Sequence, residues 1–325
     1  MRRLFLATNA IISIIIIAVI LHLVGLGEVV SDIRSIKLEF LALGLLSLFA
    51  VDLIMCYRIH IMLSASGGHI DFVKILKSHF VGMLMADFTP SRTGYFATAA
   101  ALKYNHDVPS EKALLSIFGP QIFDFVFKII VGSLGILYLM YLFSKPGDGL
   151  ILISGILIIL LVVAVMLLLL FSKRFLGLFA FAKNLPLLSR LYEVLDKMQD
   201  KSHVVLDKSP HIIALILAAW NFRALSWFFA AKAVGISIDA PFPDVLVYYF
   251  LQPLVSMLEF IPSPTIAGLG ISEGGSTLVL SILGVSPAAA ALFALVARFQ
   301  TTLLHLPAVP EALRVPRGIK ALSEK

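Results

Sequence analysis

Asp87-Phe88-Thr89-Pro90-Ser91 returns later in the chain as Glu259-Phe260-Ile261-Pro262-Ser263, an acid-Phe-x-Pro-Ser signature near the end of an apolar run each time. Both copies lead into glycine-bearing sequence, with Gly94 after the first and Gly268, Gly270 and Gly274 after the second. Proline lacks an N–H and disfavours helix at the residue before it, so the chain should break at Pro90, and at Pro262 and Pro264. A repeated break carrying a carboxylate inside apolar sequence is how many membrane transporters build a binding site near the bilayer midplane.

Composition supports that setting. The 325 residues are 59% hydrophobic and 14% charged, with a mean hydropathy of +0.98, whereas soluble domains carry about 25% charged residues. Runs such as 4–26 and 149–171 reach the ~20 apolar residues that cross a bilayer. The first run is longer than a signal-peptide core and is expected to stay as an anchor. The net charge of +6 does not indicate nucleic acid, because the basic residues sit in short segments between apolar runs. One cysteine, Cys56, and scattered histidines without a His-x-x-x-His pair give no expected metal site, and no cofactor is expected.

The fold class predicted is an all-α integral membrane protein, a single membrane domain over 1–325. About eight long helices are expected at 4–26, 38–57, 70–88, 113–143, 149–171, 209–235, 243–261 and 288–309. The stretches 92–103 and 267–283 are too short to cross and are expected to re-enter as half-helices. A first half-repeat then covers 38–172, a cytosolic linker 173–208, a second half-repeat 209–309 and a basic tail 310–325. With a cytoplasmic N-terminus, this layout leaves only Arg34, Lys37 and Lys145 outside. Arg92, Lys128, Arg223, Lys232 and Arg298 fall within helices or at their ends, and every other cation, Arg58 included, falls inside, as the positive-inside rule requires. Letting each half-helix cross would put Lys103, Lys112 and the cations from Lys173 to Lys208 outside. The two breaks are therefore expected to enter from opposite faces, as an inverted repeat. Cys56 should lie near the cytoplasmic face. In the linker, the spacing from Leu187 to Val205 predicts a helix lying on the membrane surface.

Ionisable groups in hydrocarbon cost roughly 2.5–3.5 kcal/mol each, so they normally face a cavity or a partner. The set here is Asp52, Asp87, Asp124, Glu259 and Glu273 against Arg92, Lys128, Arg223 and Arg298. Near-balance of sign suits a polar cavity rather than a pore for one sign. Arg92 is placed to clamp a phosphate or to pair with Asp87. Asp124 and Lys128 stand four apart on one helix face. Glu273 belongs in the first turn of its half-helix, where a carboxylate is favoured.

The chain resembles the transmembrane flippase domain of bacterial lysylphosphatidylglycerol synthetases and the stand-alone membrane proteins of that superfamily. The resemblance lies in Phe88-Thr89-Pro90-Ser91-Arg92-Thr93-Gly94, in Ser110-Glu111-Lys112-Ala113 with Asp124, in the block from Pro264 to Gly274, in Leu283-Gly284-Val285-Ser286-Pro287 and in Ala297-Arg298. It implies two re-entrant helices around a headgroup cavity, with Arg92, Asp124, Glu273 and Arg298 in functional positions. Pro264-Thr265-Ile266-Ala267 stands where the family commonly has Pro-Gly-Gly, which leaves the shape of that turn open. No aminoacyl-transfer segment accompanies these residues, so synthesis of a lysyl lipid is not expected.

The function expected is movement of a polar-headed phospholipid or lipid-linked headgroup between leaflets of the plasma membrane, with both termini cytoplasmic. Arg92 and Arg298 are the candidates for phosphate, and Glu273 and Asp124 for a cation or proton. A membrane-embedded transferase or hydrolase acting on a lipid, and an accessory scaffold for a separate transferase, stay open beside it. The partner expected is the lipid itself; a second copy of the chain and a transferase are further candidates.

Overall fold

The computed structural model describes residues 35–143, 172–180, 202–238, 243–258 and 269–315, with a few isolated positions besides. The helices expected at 4–26 and 149–171 lie outside the described residues apart from isolated positions. So do Glu259, Pro262, Pro264, Gly268, residues 187–201 of the expected linker helix and the tail beyond 315. No strand occurs among the described residues. The longer helices are α1 (Leu38–Ala65), α2 (Phe72–Asp87), α3 (Ala97–His106), α4 (Ser110–Phe143), α7 (Ser209–Ala233), α8 (Val245–Leu258), α9 (Ile271–Ile282) and α10 (Pro287–His305). Short helices α5 (Lys173–Gly177), α6 (Ser202–Asp207) and α11 (Val309–Ala312) complete the set.

Four helical stretches among the described residues are long and apolar enough to cross a membrane: Leu38–Ala65, Ser110–Tyr138, Ser209–Ala233 and Pro287–Ala312. They are apolar on their outer faces as well, where Leu46, Leu134, Leu217 and Phe299 are exposed. A helix that is apolar all round belongs in hydrocarbon, and the protein is an integral membrane protein.

α1 and α7 pack antiparallel along their length. The Lys37 N–H donates to the Ala233 carbonyl at 2.9 Å, Val51 and Met55 meet Ala219 midway, and Met62 meets Ile212 and Ile216 at the far end. Val205 of α6, expected on a surface helix, is instead buried beside Met62 and Leu115. Arg58, counted with the cytoplasmic cations, is also buried. Cys56 is sealed in the cluster of Ile59, Leu63, Ile75 and Leu102.

Two helical hairpins complete the bundle. In the first, α2 turns back through a 3-10 segment, Pro90–Phe96, into α3. Thr89 is extended, at φ −124° and ψ 144°, as a residue before proline should be. Its hydroxyl replaces the interrupted backbone bonding, donating to the Met85 carbonyl at 2.9 Å and accepting from the Gly94 N–H at 2.6 Å. The arms touch so closely that a Cβ on Gly94 would overlap the Met85 carbonyl, and one on Gly82 would overlap the Thr98 hydroxyl. Val81 and Leu84 of α2 pack with Ala101 of α3.

In the second hairpin, Leu251 and Val255 of α8 pack with Leu280 of α9. α9 begins at Gly270, whose φ of +90° suits a residue without a Cβ. Gly284, φ +86°, follows its end, and Ser286 then caps α10 by accepting from the Ala289 N–H at 3.3 Å.

The hairpins open at opposite ends of the bundle. The base of the first lies with Gly67, whose carbonyl accepts from Lys112 Nζ at 2.9 Å, and with Glu311, whose carboxylate accepts from Asn105 Nδ2 at 2.7 Å. The base of the second lies with Val234, Ile236, Ile36 and Val285 at the other end. Glu311 is buried and also takes Arg314 at 3.1 Å. Glu311→Ala is expected to strand the Asn105 amide at a loss of about 1–3 kcal/mol. Faster hydrogen exchange over residues 103–108, with α1 unchanged, would show it.

Candidate functional site

Between the first hairpin turn and the start of α9 lies a cavity of about 330 Å³. Its apolar wall includes Val51, Met55, Phe118, Trp227 and Val255, and its polar wall draws on α1, α4, α7, α8, α9, α10 and the first turn. Of the nine charged residues singled out in sequence, seven line it: Asp52, Arg92, Asp124, Lys128, Arg223, Glu273 and Arg298. Asp87 stands behind Arg92, buried, and Glu259 lies outside the described residues.

Each charged group is placed by a local cause. The break at Pro90 forces the chain through a left-handed residue, Arg92, at φ +53°, and its guanidinium folds back on Asp87, Nη2 to Oδ1 at 3.1 Å. At the second turn, the freed Gly270 N–H donates to Glu273 Oε2 at 2.6 Å, so the carboxylate closes the first turn of α9. The other oxygen accepts Arg298 Nε at 2.7 Å, while Arg298 Nη2 donates to Ser272 Oγ at 2.7 Å. α9 and α10 are thereby clamped at the cavity wall. Both arginines expected to meet phosphate thus already hold a carboxylate in this structure.

On α4, Asp124 and Lys128 pair at 2.8 Å, as their four-residue spacing predicts. The pair extends inward, for Gln121 Nε2 donates to Asp124 Oδ2 at 3.2 Å and Arg58 Nη2 to Gln121 Oε1 at 3.3 Å. Arg223 differs from the rest. It lines the cavity from α7, and among the described residues it has no ion-pair partner. A guanidinium held in such a wall can take a phosphate or carboxylate by two parallel N–H bonds.

A second polar cluster borders the cavity and was not legible as a unit. Asp52 of α1 accepts His79 Nε2 at 3.1 Å on one oxygen and His305 Nε2 at 3.0 Å on the other. The opposite ring nitrogen of His305 faces Asp87 Oδ2 at 3.7 Å. Metal-ligand spacing does not mark these histidines. The signal that does find them is simpler: His79 and His305, like Asp52, interrupt apolar runs.

A search of the curated proteins found no match to the chain. The family model of the lysylphosphatidylglycerol synthase TM region matches residues 7–308, nearly the whole chain, and the chain belongs to that family.

Proposed function

We propose that the chain moves a polar-headed phospholipid or lipid-linked headgroup between the leaflets of the plasma membrane, leaving the lipid chemically unchanged. The observation that carries this reading is one cavity walled by seven charged side chains on one part and apolar side chains on the other, in a bundle with apolar outer faces. A headgroup needs the charged wall, and the acyl chains need the apolar surroundings.

Both hairpins, on this reading, are re-entrant and related as an inverted repeat, with the termini cytoplasmic. The dimensions support it. α2 has 16 residues and α9 has 12, so at 1.5 Å per residue they span about 24 and 18 Å, short of the ~30 Å hydrocarbon core. Irregular backbone at such depth is tolerated where it lines a cavity. Arg223 receives the lipid phosphate, with Lys128 beside it, while the Arg92–Asp87 and Arg298–Glu273 pairs hold the two turns and can exchange partners with the headgroup.

The purified chain in vesicles carrying fluorescent phosphatidylglycerol, phosphatidylethanolamine or phosphatidylcholine tests this, with loss of outer-leaflet signal as the readout. Headgroup-dependent movement is the expected result. Covalently altered lipid recovered in place of movement would overturn it. Arg223→Gln is expected to slow an anionic lipid about tenfold, the size of a lost hydrogen bond to a charged group. Its thermal unfolding should stay close to wild type, because among the described residues no direct ion pair of Arg223 is broken.

A further inference from the structure

We propose that Asp52, His79, Asp87 and His305 form a proton-binding site that fastens the first hairpin turn to α1 and α10, and that lipid movement through the adjoining cavity is linked to proton uptake and release there. The second half rests on the lipid-moving reading above; the proton site does not.

All four side chains are at least nine-tenths buried, and His79 is completely so. A neutral imidazole has one N–H and one lone pair. His305 presents a carboxylate oxygen to each ring nitrogen: Asp52 Oδ2 to Nε2 at 3.0 Å and Asp87 Oδ2 to Nδ1 at 3.7 Å. A single N–H serves one of them only. Without a further proton, a lone pair and an acceptor oxygen face one another out of water. Among the described residues, neither His305 Nδ1 nor Asp87 Oδ2 has a hydrogen-bond partner of its own. One added proton, carried on His305 or on the Asp87 carboxyl, turns that opposition into a donor facing an acceptor.

The charge inventory agrees. With the proton, two carboxylates stand against Arg92 and one imidazolium, or a single carboxylate against Arg92. Without it, the cluster carries one more buried negative charge, which is costly in low dielectric. The surrounding charged groups offset part of that cost but place no hydrogen between His305 and Asp87. Arg58 of α1 lies within electrostatic reach of His79 but donates to Gln121, and the Tyr95 ring packs edge-on to His79 at 5.9 Å. On the other elements, Glu273 and Arg298 hold one another, Arg223 lines the cavity from α7, and Glu311 of α11 is taken by Asn105 and Arg314.

Three separate elements meet at this point: α1 through Asp52, the first hairpin through His79 and Asp87, and α10 through His305. Asp52 and His305 themselves line the cavity, so a proton reaches the site from the same space as the headgroup. Loss of the proton sets Asp87 against His305 and frees the turn that carries Arg92.

Hydrogen exchange over residues 88–96 in the purified full chain tests the proton site without any lipid substrate. Raising the pH, after correction for intrinsic exchange, should open the wild-type turn about tenfold more often, the size of one lost charge-assisted hydrogen bond. The step should vanish in His305→Gln, and in Asp87→Asn if the first variant does not fold. A wild-type turn indifferent to pH, or a step that survives in the variants, overturns the site. In vesicles with fluorescent phosphatidylglycerol, an imposed pH difference should then bias lipid movement, and a protonophore should erase the bias. Movement indifferent to the gradient overturns the linkage. A pH-dependent turn with no lipid movement at all upholds the proton site and overturns the lipid-moving reading instead.

Discussion

Gly94→Ala is expected to yield no folded protein. The added methyl would overlap the Met85 carbonyl oxygen and stand 2.6 Å from the Ala86 amide nitrogen. Both are backbone atoms of α2, so no rotamer change can clear the space. Relief requires the 3-10 turn to move off α2, which also breaks the bond from the Gly94 N–H to the Thr89 hydroxyl and draws Arg92 away from Asp87. Steric overlap, a partly buried donor left unsatisfied and a parted ion pair act together, so the loss should be on the order of 4 kcal/mol or more, beyond the ordinary range for a point substitution. Detergent-extracted protein should aggregate in size-exclusion chromatography where wild type runs as one peak. Gly177→Ala is the control. None of the described residues lies within 4 Å of a Cβ there, and in a helix the change should be neutral or stabilising by up to ~1 kcal/mol. Equal behaviour of the two variants would refute this account of the turn.

The second large effect is expected at the clamp between α9 and α10. Glu273→Gln removes the charge that Arg298 faces at 2.7 Å. Breaking a buried pair from one side costs about 3–5 kcal/mol, because the remaining charge stays out of water. Here the glutamine still reaches the Gly270 N–H with its carbonyl, so the loss should lie at the lower end. Lipid movement should fall more than tenfold. Adding Arg298→Met removes the stranded guanidinium, and the double variant should regain most of its thermal stability. Movement should not return with it, since both headgroup partners are gone. That divergence separates a clamp that only holds two helices from one that also works on the headgroup. A double variant as unstable as Glu273→Gln alone would sink the pairing argument, and one that regains movement would sink the functional one.

Much of this arrangement was legible in the residues. Pro90 and the glycines marked the reversal of the chain, because missing donors and missing Cβ atoms have local consequences. The four-residue spacing of Asp124 and Lys128 fixed their pairing, and Glu273 fell in a helical first turn as its place after Gly270 indicated. Arg92 and Arg298 were also found, but their partners were only half foreseen: Asp87 is five residues from Arg92, whereas Glu273 is twenty-five from Arg298. The cluster of Asp52, His79, His305 and Asp87 is assembled across separations as large as 253 residues, and no local pattern encodes such a meeting. Arg58 was misplaced for a related reason. A cation near the end of an apolar run obeys the positive-inside rule on average, but Gln121 of another helix offers it an interior acceptor.

The sealing of Cys56 has a practical consequence. It is the chain's sole thiol, and Ile59, Leu63, Ile75 and Leu102 close over it, so reagents in water should pass it by while the bundle is intact. Spin labels or maleimide dyes can therefore be introduced at chosen sites without first stripping the native sulfur, and reaction at Cys56 itself becomes an alarm for loosened packing.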